Sequence, residues 1–282
     1  MALGTAVFLA VIAYAGGNVL AVAVVTVLVT LGMELTIRRL LLVSVLSIQL
    51  VFFVGVSIAY LRHRGLSLGD VGLRRPDLEG WIVLGVGFVA TIVLWLGASI
   101  ATFFVGVRFG VEREQQEIIE LGMQDPFVFV ILAVLSILVV GPAEELLFRG
   151  VIQTRLRESF GVAAGLTLAT ALFAIVHLPG FVDMGDLGSG ELLGGLLGVS
   201  VLFVVGGVLA VVYEYTGNLV IPAVIHGLFN ATQAAFGYLA VRFGGEELTG
   251  WVAPGVAGWV SEAIVAATNV VVPLVCSAPW CL

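Results

Sequence analysis

Apolar residues in this chain fall into long continuous blocks separated by short polar stretches: 2–31, 40–61, 81–105, 126–147, 162–177, 192–213, 219–243 and 251–274. Blocks of about 20 residues have the length that crosses roughly 30 Å of hydrocarbon at about 1.5 Å per residue. They lack the apolar/polar alternation of a membrane barrel strand, so each reads as a helix whose backbone groups are satisfied internally. The pattern predicts an all-α, polytopic integral membrane protein with about eight transmembrane helices. In the first block Gly16, Gly17 and Asn18 are expected to kink one long tilted helix or to end a shorter one. The acidic stretch 112–125 reads as an amphipathic segment lying on the surface, or a lid.

Composition sharpens this. Sixty per cent of the residues are hydrophobic and 11% charged, against about 25% charged in an average soluble domain, and the mean hydropathy is +1.17. The first five residues carry no basic side chain, so the first block lacks the head of a cleavable signal peptide and is expected to be retained as a span. The 12 basic residues are all arginine and the net charge is −7, which argues against a nucleic-acid partner. Arg62, Arg64, Arg74 and Arg75 form the richest basic cluster, which places that loop in the cytoplasm. Parity then puts Arg155 and Arg157 on the same side and the loop carrying Asp183 and Asp186 opposite. Cys276 and Cys281 match no ligand or redox spacing, and Pro279 occupies the position that a C-terminal lipidation box gives to cysteine. The chain is therefore not expected to be a prenylation substrate itself.

Ionisable side chains within spans cost roughly 2.5 to 3.5 kcal/mol each on insertion scales, so by default they mark function. The fourth block carries Glu144, Glu145 and Arg149, the fifth ends at His177, and the seventh contains His226 and Asn230. Glu145 and Arg149 are four apart, neighbours on one helix face and in the favourable order for an ion pair. Glu144 lies about 100° around the helix and has no local countercharge. If the fourth and fifth helices form an antiparallel hairpin turning at Phe160 and Gly161, Glu144 and His177 each stand 16 positions from that turn. At about 24 Å from it they are level and face each other. His226 and Asn230, again four apart, share a face. Singly, such residues are often packing or interhelical hydrogen-bond groups; together they supply what hydrolysis needs, a base for water, a group to orient it and donors for an oxyanion.

The blocks Glu144-Glu145-x-x-x-Arg149, Phe173-x-x-x-His177 and His226-x-x-x-Asn230 resemble the motif set of the CPBP family, which includes type II CAAX prenyl proteases and bacteriocin-processing or self-immunity membrane proteases. Gly72-Leu73-Arg74-Arg75-Pro76 also resembles a loop of that family. The resemblance spans about 126–243, which becomes the catalytic membrane core, between N-terminal helices and loops at 1–125 and a C-terminal helix and tail at 244–282. It implies an intramembrane endopeptidase of the cell membrane acting on a membrane-associated or lipidated peptide. Glu144 would activate water, His177 would assist, His226 and Asn230 would stabilise the oxyanion, and Glu145 and Arg149 would support the site as an ion pair. The family is read both as metal-independent glutamate protease and as metalloprotease, so zinc held by Glu144, His177 and His226 stays open beside a metal-free site.

Two further patterns read as decoys. Gly65-Leu66-Ser67-Leu68-Gly69, with His63 and Asp70 nearby, matches a serine-hydrolase elbow but sits in a polar loop without the strand such an elbow requires. Gly194, Gly195 and Gly198 offer small-residue spacing for close helix packing. The competing functions are a transporter or proton relay built on the Glu/His cluster, for which paired broken helices in inverted repeats would be the sign, and a non-catalytic membrane scaffold.

Overall fold

The computed structural model describes residues 1–111, 122–182 and 188–244. Seven helices carry the first seven apolar blocks: α1 (Ala2–Thr30), α2 (Ile37–His63), α3 (Leu78–Phe109), α4 (Phe127–Phe160), α5 (Val162–Val176), α6 (Ser189–Thr216) and α7 (Val220–Leu239). Among the described residues there is no strand. Among the described residues six helices are long and apolar enough to span a membrane, α5 being counted through Gly180; α7 is not among the six. The eighth block, 251–274, lies outside the described residues, as do most of the acidic stretch 112–125, Asp183, Asp186 and both cysteines. The protein is thus a multi-pass α-helical membrane protein.

α4 is the centre of the bundle. Arg149, Phe148, Leu147, Ile152 and Leu156 are among its fully buried side chains, as expected of a helix wrapped by others on every side. Two stretches, Ser136–Val140 and Leu146–Gln153, are π-helical and bracket a short α-helical turn, Gly141–Glu145. A π-helical stretch of α2, Leu46–Phe53, lies against it. Such wide turns rotate the following side chains relative to a regular helix and occur often at functional sites.

α1 runs unbroken through Gly16 and Gly17, so of the two expectations the shorter helix ending there is ruled out. Ala6, Ala10, Ala13, Gly17 and Ala21 form a buried small-residue stripe that lets two backbones approach closely. A Cβ at Gly17 would stand 2.7 Å from the Ile48 Cα, and one at Gly16 would overlap the Phe52 ring. The glycines therefore press α1 onto the π-helical part of α2. α3 lies at the periphery, where Asp77 caps it by accepting the Gly80 N–H at 2.8 Å. Its Trp81, Ile82, Val86, Val89 and Val93 are exposed; in a membrane that face meets lipid.

Gly161, at φ 81°, turns α4 into α5, giving the expected antiparallel hairpin. At this end of the bundle the loop after α2 inserts Val71 into the core. Its backbone is tied down by the Tyr213 hydroxyl, which donates to the Val71 carbonyl at 3.1 Å, and by the Leu219 N–H, which donates to that of Gly72 at 2.9 Å. Arg74 donates to the Thr216 carbonyl at 3.2 Å, and the pairs Arg64–Glu158 (3.3 Å) and Arg157–Glu214 (3.0 Å) stand alongside. Arg64, Arg74, Arg155 and Arg157, four of the arginines that parity places on one side, make their contacts at this end. In the same loop the Ser67 hydroxyl and N–H donate to Asp70 at 2.6 and 2.8 Å, holding its carboxyl below the usual carboxylate range. That serine is occupied in a surface turn.

Candidate active site

Close helix crossings set the site. A Cβ at Gly227 would stand 2.7 Å from the Ile137 Cα and 2.8 Å from the Ser136 carbonyl oxygen, and one at Gly141 would stand 2.6 Å from the Ala223 carbonyl oxygen. Reciprocal glycines thus bring α7 against α4 where His226 and the Glu144-Glu145 pair reside. A Cβ at Gly206 of α6 would stand 2.9 Å from the Phe173 ring, one turn before His177. Gly195 and Gly198 admit Val182 and the Phe181 ring, so α6 seats the segment that follows His177 at the end of α5.

Glu144, Glu145, Arg149, His177, His226 and Asn230 are all buried. The structure brings five of them into one connected cluster. Glu145 Oε2 accepts from Arg149 Nε at 3.0 Å, the ion pair expected from the spacing. Glu145 does more than that: its Oε1 accepts from His226 Nδ1 at 2.9 Å. Because a carboxylate paired with arginine can only accept, Nδ1 carries the proton and the neutral ring presents a lone pair at Nε2. His177 is fixed in the same way, since its Nδ1 donates to the Phe173 carbonyl at 2.6 Å. Both free Nε2 atoms face Glu144 Oε2, at 3.8 Å from His177 and 3.7 Å from His226. That carboxylate oxygen is buried and has no hydrogen-bond partner.

The other oxygen of Glu144 is held. Gln49 Nε2, from α2, donates to Oε1 at 2.8 Å. The sequence reading missed Gln49; its signal was that it is the one carboxamide in the apolar block 40–61. Phe173 lies between the groups, with its ring centroid 4.7 Å from that of His177, 5.9 Å from that of His226 and 5.1 Å from the Arg149 guanidinium carbon. The two Nη groups of Arg149 have no hydrogen-bond partner, so the aromatic face supplies part of the environment of this buried cation. Asn230, one turn beyond His226, is 2% exposed, and its Nδ2 has no hydrogen-bond partner.

Three acceptor atoms, Glu144 Oε2 and the two histidine Nε2, therefore converge. Zinc bonds of about 2.0 to 2.1 Å in a tetrahedron would set neighbouring ligand atoms about 3.3 to 3.4 Å apart. The two measured edges are longer, and among the described residues no group of three His, Cys, Asp or Glu side chains is arranged to hold a metal ion. The donor types, one carboxylate and two imidazoles, are those that zinc takes, at spacings wider than a zinc ligand set. They also suit a water molecule giving its protons to two acceptors.

Residues 126–232 match the Rce1-like family. The model carrying that match is described as type II CAAX prenyl endopeptidase Rce1-like. No curated protein and no solved structure matches the chain significantly. The Rce1-like segment contains every site residue named from the sequence, whereas Gln49 lies outside it. It agrees with the resemblance carried by the three motifs: the segment is similar to a family of CAAX-type membrane proteases, which favours neither a transporter nor a scaffold.

Proposed function

We propose that this protein is an intramembrane endopeptidase that hydrolyses a peptide bond in a membrane-associated or lipidated substrate, using water activated by Glu144. The observation that carries the reading is Glu144 Oε2 itself, buried, unpartnered and facing two histidine nitrogens whose opposite ring positions are fixed. An acceptor oxygen beside a second acceptor is a seat for water. Glu144 takes one proton while His177 Nε2 accepts the other in a hydrogen bond, and the hydroxide adds to the scissile carbonyl carbon.

The resulting oxyanion needs donors. Asn230 Nδ2 offers two N–H groups, and His226, its Nδ1 bonded to Glu145, donates from Nε2 after the neutral ring has taken up a proton with the incoming substrate, a proton it keeps through the cycle. When the tetrahedral intermediate collapses, the C–N bond breaks and the proton held by Glu144 passes to the leaving amine. One water is consumed; the new carboxyl group gives up its remaining proton to the amine, yielding a carboxylate and an ammonium. Burial of the cluster keeps bulk water out, which strengthens each of these interactions. No step passes through a metal.

The test is cleavage of a panel of transmembrane and prenylated peptides by purified protein in vesicles, with products identified by mass. Glu144→Gln should lose at least about 100-fold in kcat, as removal of a general base does; a fully active variant would overturn the assignment. Elemental analysis of active protein addresses the metal separately. Stoichiometric zinc that tracks activity and is lost from His177→Ala would replace the metal-free route with a zinc-bound one.

A further inference from the structure

We infer that Gln49 is a positioning residue that fixes which oxygen of Glu144 is available for chemistry. The inference rests on the reading of Glu144 as base and extends the site to α2, outside the segment matched by the Rce1-like family. A glutamate side chain has three rotatable bonds, and a carboxylate left unrestrained can exchange its two oxygens between environments. Here the Gln49 amide holds Oε1 at 2.8 Å from one side. Oε2 then stays turned to His177 and His226.

Gln49 reaches Glu144 because of where its backbone runs. It lies within the π-helical stretch Leu46–Phe53, whose wider turn redirects side chains. That stretch is pressed inward from behind by α1, where Gly17 meets Ile48 and Gly16 meets Phe52. The carbonyl oxygen of the Gln49 amide is buried and has no hydrogen-bond partner, so the amide is oriented by Glu144 rather than by another group. A carboxamide suits this place in the membrane, since it donates without adding a second charge beside the carboxylate.

The experiment replaces Gln49 with Met, which keeps the length and removes the donor, and in parallel with Leu. Two readouts are taken on full-length protein in vesicles. The first is the infrared carboxylate band of Glu144, assigned by its loss in Glu144→Gln. The second is the pair kcat and KM, with the melting temperature as control. The expected result is a shifted Glu144 band and a kcat lower by about 10- to 100-fold, the range typical of groups that orient a reacting residue, with KM and melting temperature unchanged. An unmoved band, an unchanged kcat, or a loss of kcat that follows a lowered melting temperature in both variants would overturn the inference. An active Glu144→Gln protein would instead remove the reading of Glu144 as base, and unchanged kcat in the Gln49 variants beside an inactive Glu144→Gln would remove this inference alone.

Discussion

His226 and Glu145 stand 81 positions apart in the chain and meet at 2.9 Å, Nδ1 to Oε1. Glu145 therefore serves two partners at once, the Arg149 guanidinium on its own helix and the imidazole on α7. The charge pair neutralises a buried carboxylate, and the same carboxylate sets the tautomer and orientation of a ring that faces Glu144.

This double duty separates stability from activity. Removing one member of a buried ion pair typically costs 3 to 5 kcal/mol because it leaves an uncompensated charge, whereas removing both is milder. Glu145→Gln and Arg149→Leu should each lower the melting temperature in detergent strongly, and the double variant should recover much of the loss. It should not recover cleavage in full, since a carboxamide can still accept from His226 Nδ1 but no longer carries the charge that supports a protonated ring. A double variant less stable than either single would show the pairing to be wrong.

Asn230 separates donation from packing. Asn230→Asp keeps the shape of the side chain and removes both N–H donors that are free in the structure. Loss of one oxyanion donor costs about 100- to 1,000-fold in kcat, so Asn230→Asp should fall at least that far with KM within a few-fold. If Asn230→Asp cleaves as the unaltered protein does, the oxyanion assignment fails.

The glycine crossing gives a steric prediction. Any side chain at Gly227 meets α4 backbone at 2.7 to 2.8 Å, and backbone cannot rotate away. Overpacking of this sort costs about 1 to 3 kcal/mol. Gly227→Val should therefore lower the melting temperature and, by moving α7 off α4, weaken the His226–Glu145 bond. A Gly207→Val control, where no atom lies within 4 Å of the added Cβ, should melt normally. Equal melting of both variants would contradict the crossing.

Acid sensitivity has a defined origin at the other end of the bundle. Arg38 donates two hydrogen bonds to Asp125, one of them at 2.9 Å from Nη2, holding the Asp125 carboxyl below the usual carboxylate range. Because the folded value is depressed, this pair stabilises the protein above the unfolded carboxylate value of about 3.9. The contribution is lost as pH falls through the folded value. Melting temperature should therefore drop below about pH 4, and Asp125→Asn should remove part of that drop. An identical acid profile in Asp125→Asn would show that the pair does not contribute.

The sequence by itself determined the helices, because 20-residue apolar blocks leave the backbone no other way to satisfy its hydrogen bonds in lipid. It also determined the Glu145–Arg149 pair and the level placement of Glu144 and His177, since both follow from spacing on one helix or across one short turn. Where helices cross is not a local property. Gly16 and Gly17 read as a kink in a long α1 or the end of a shorter one because glycine is a weak helix former, yet the missing side chains serve contact with α2, and only a partner backbone at 2.7 Å reveals that. Gln49 could be noticed as a lone amide in an apolar block but not assigned, because its partner is 95 positions away. His226 was legible as a polar residue within a span; its bond to Glu145 depended on the reciprocal fit of Gly141 and Gly227. Local spacing fixes which side chains share a helix face, and packing between helices decides which of those faces meet.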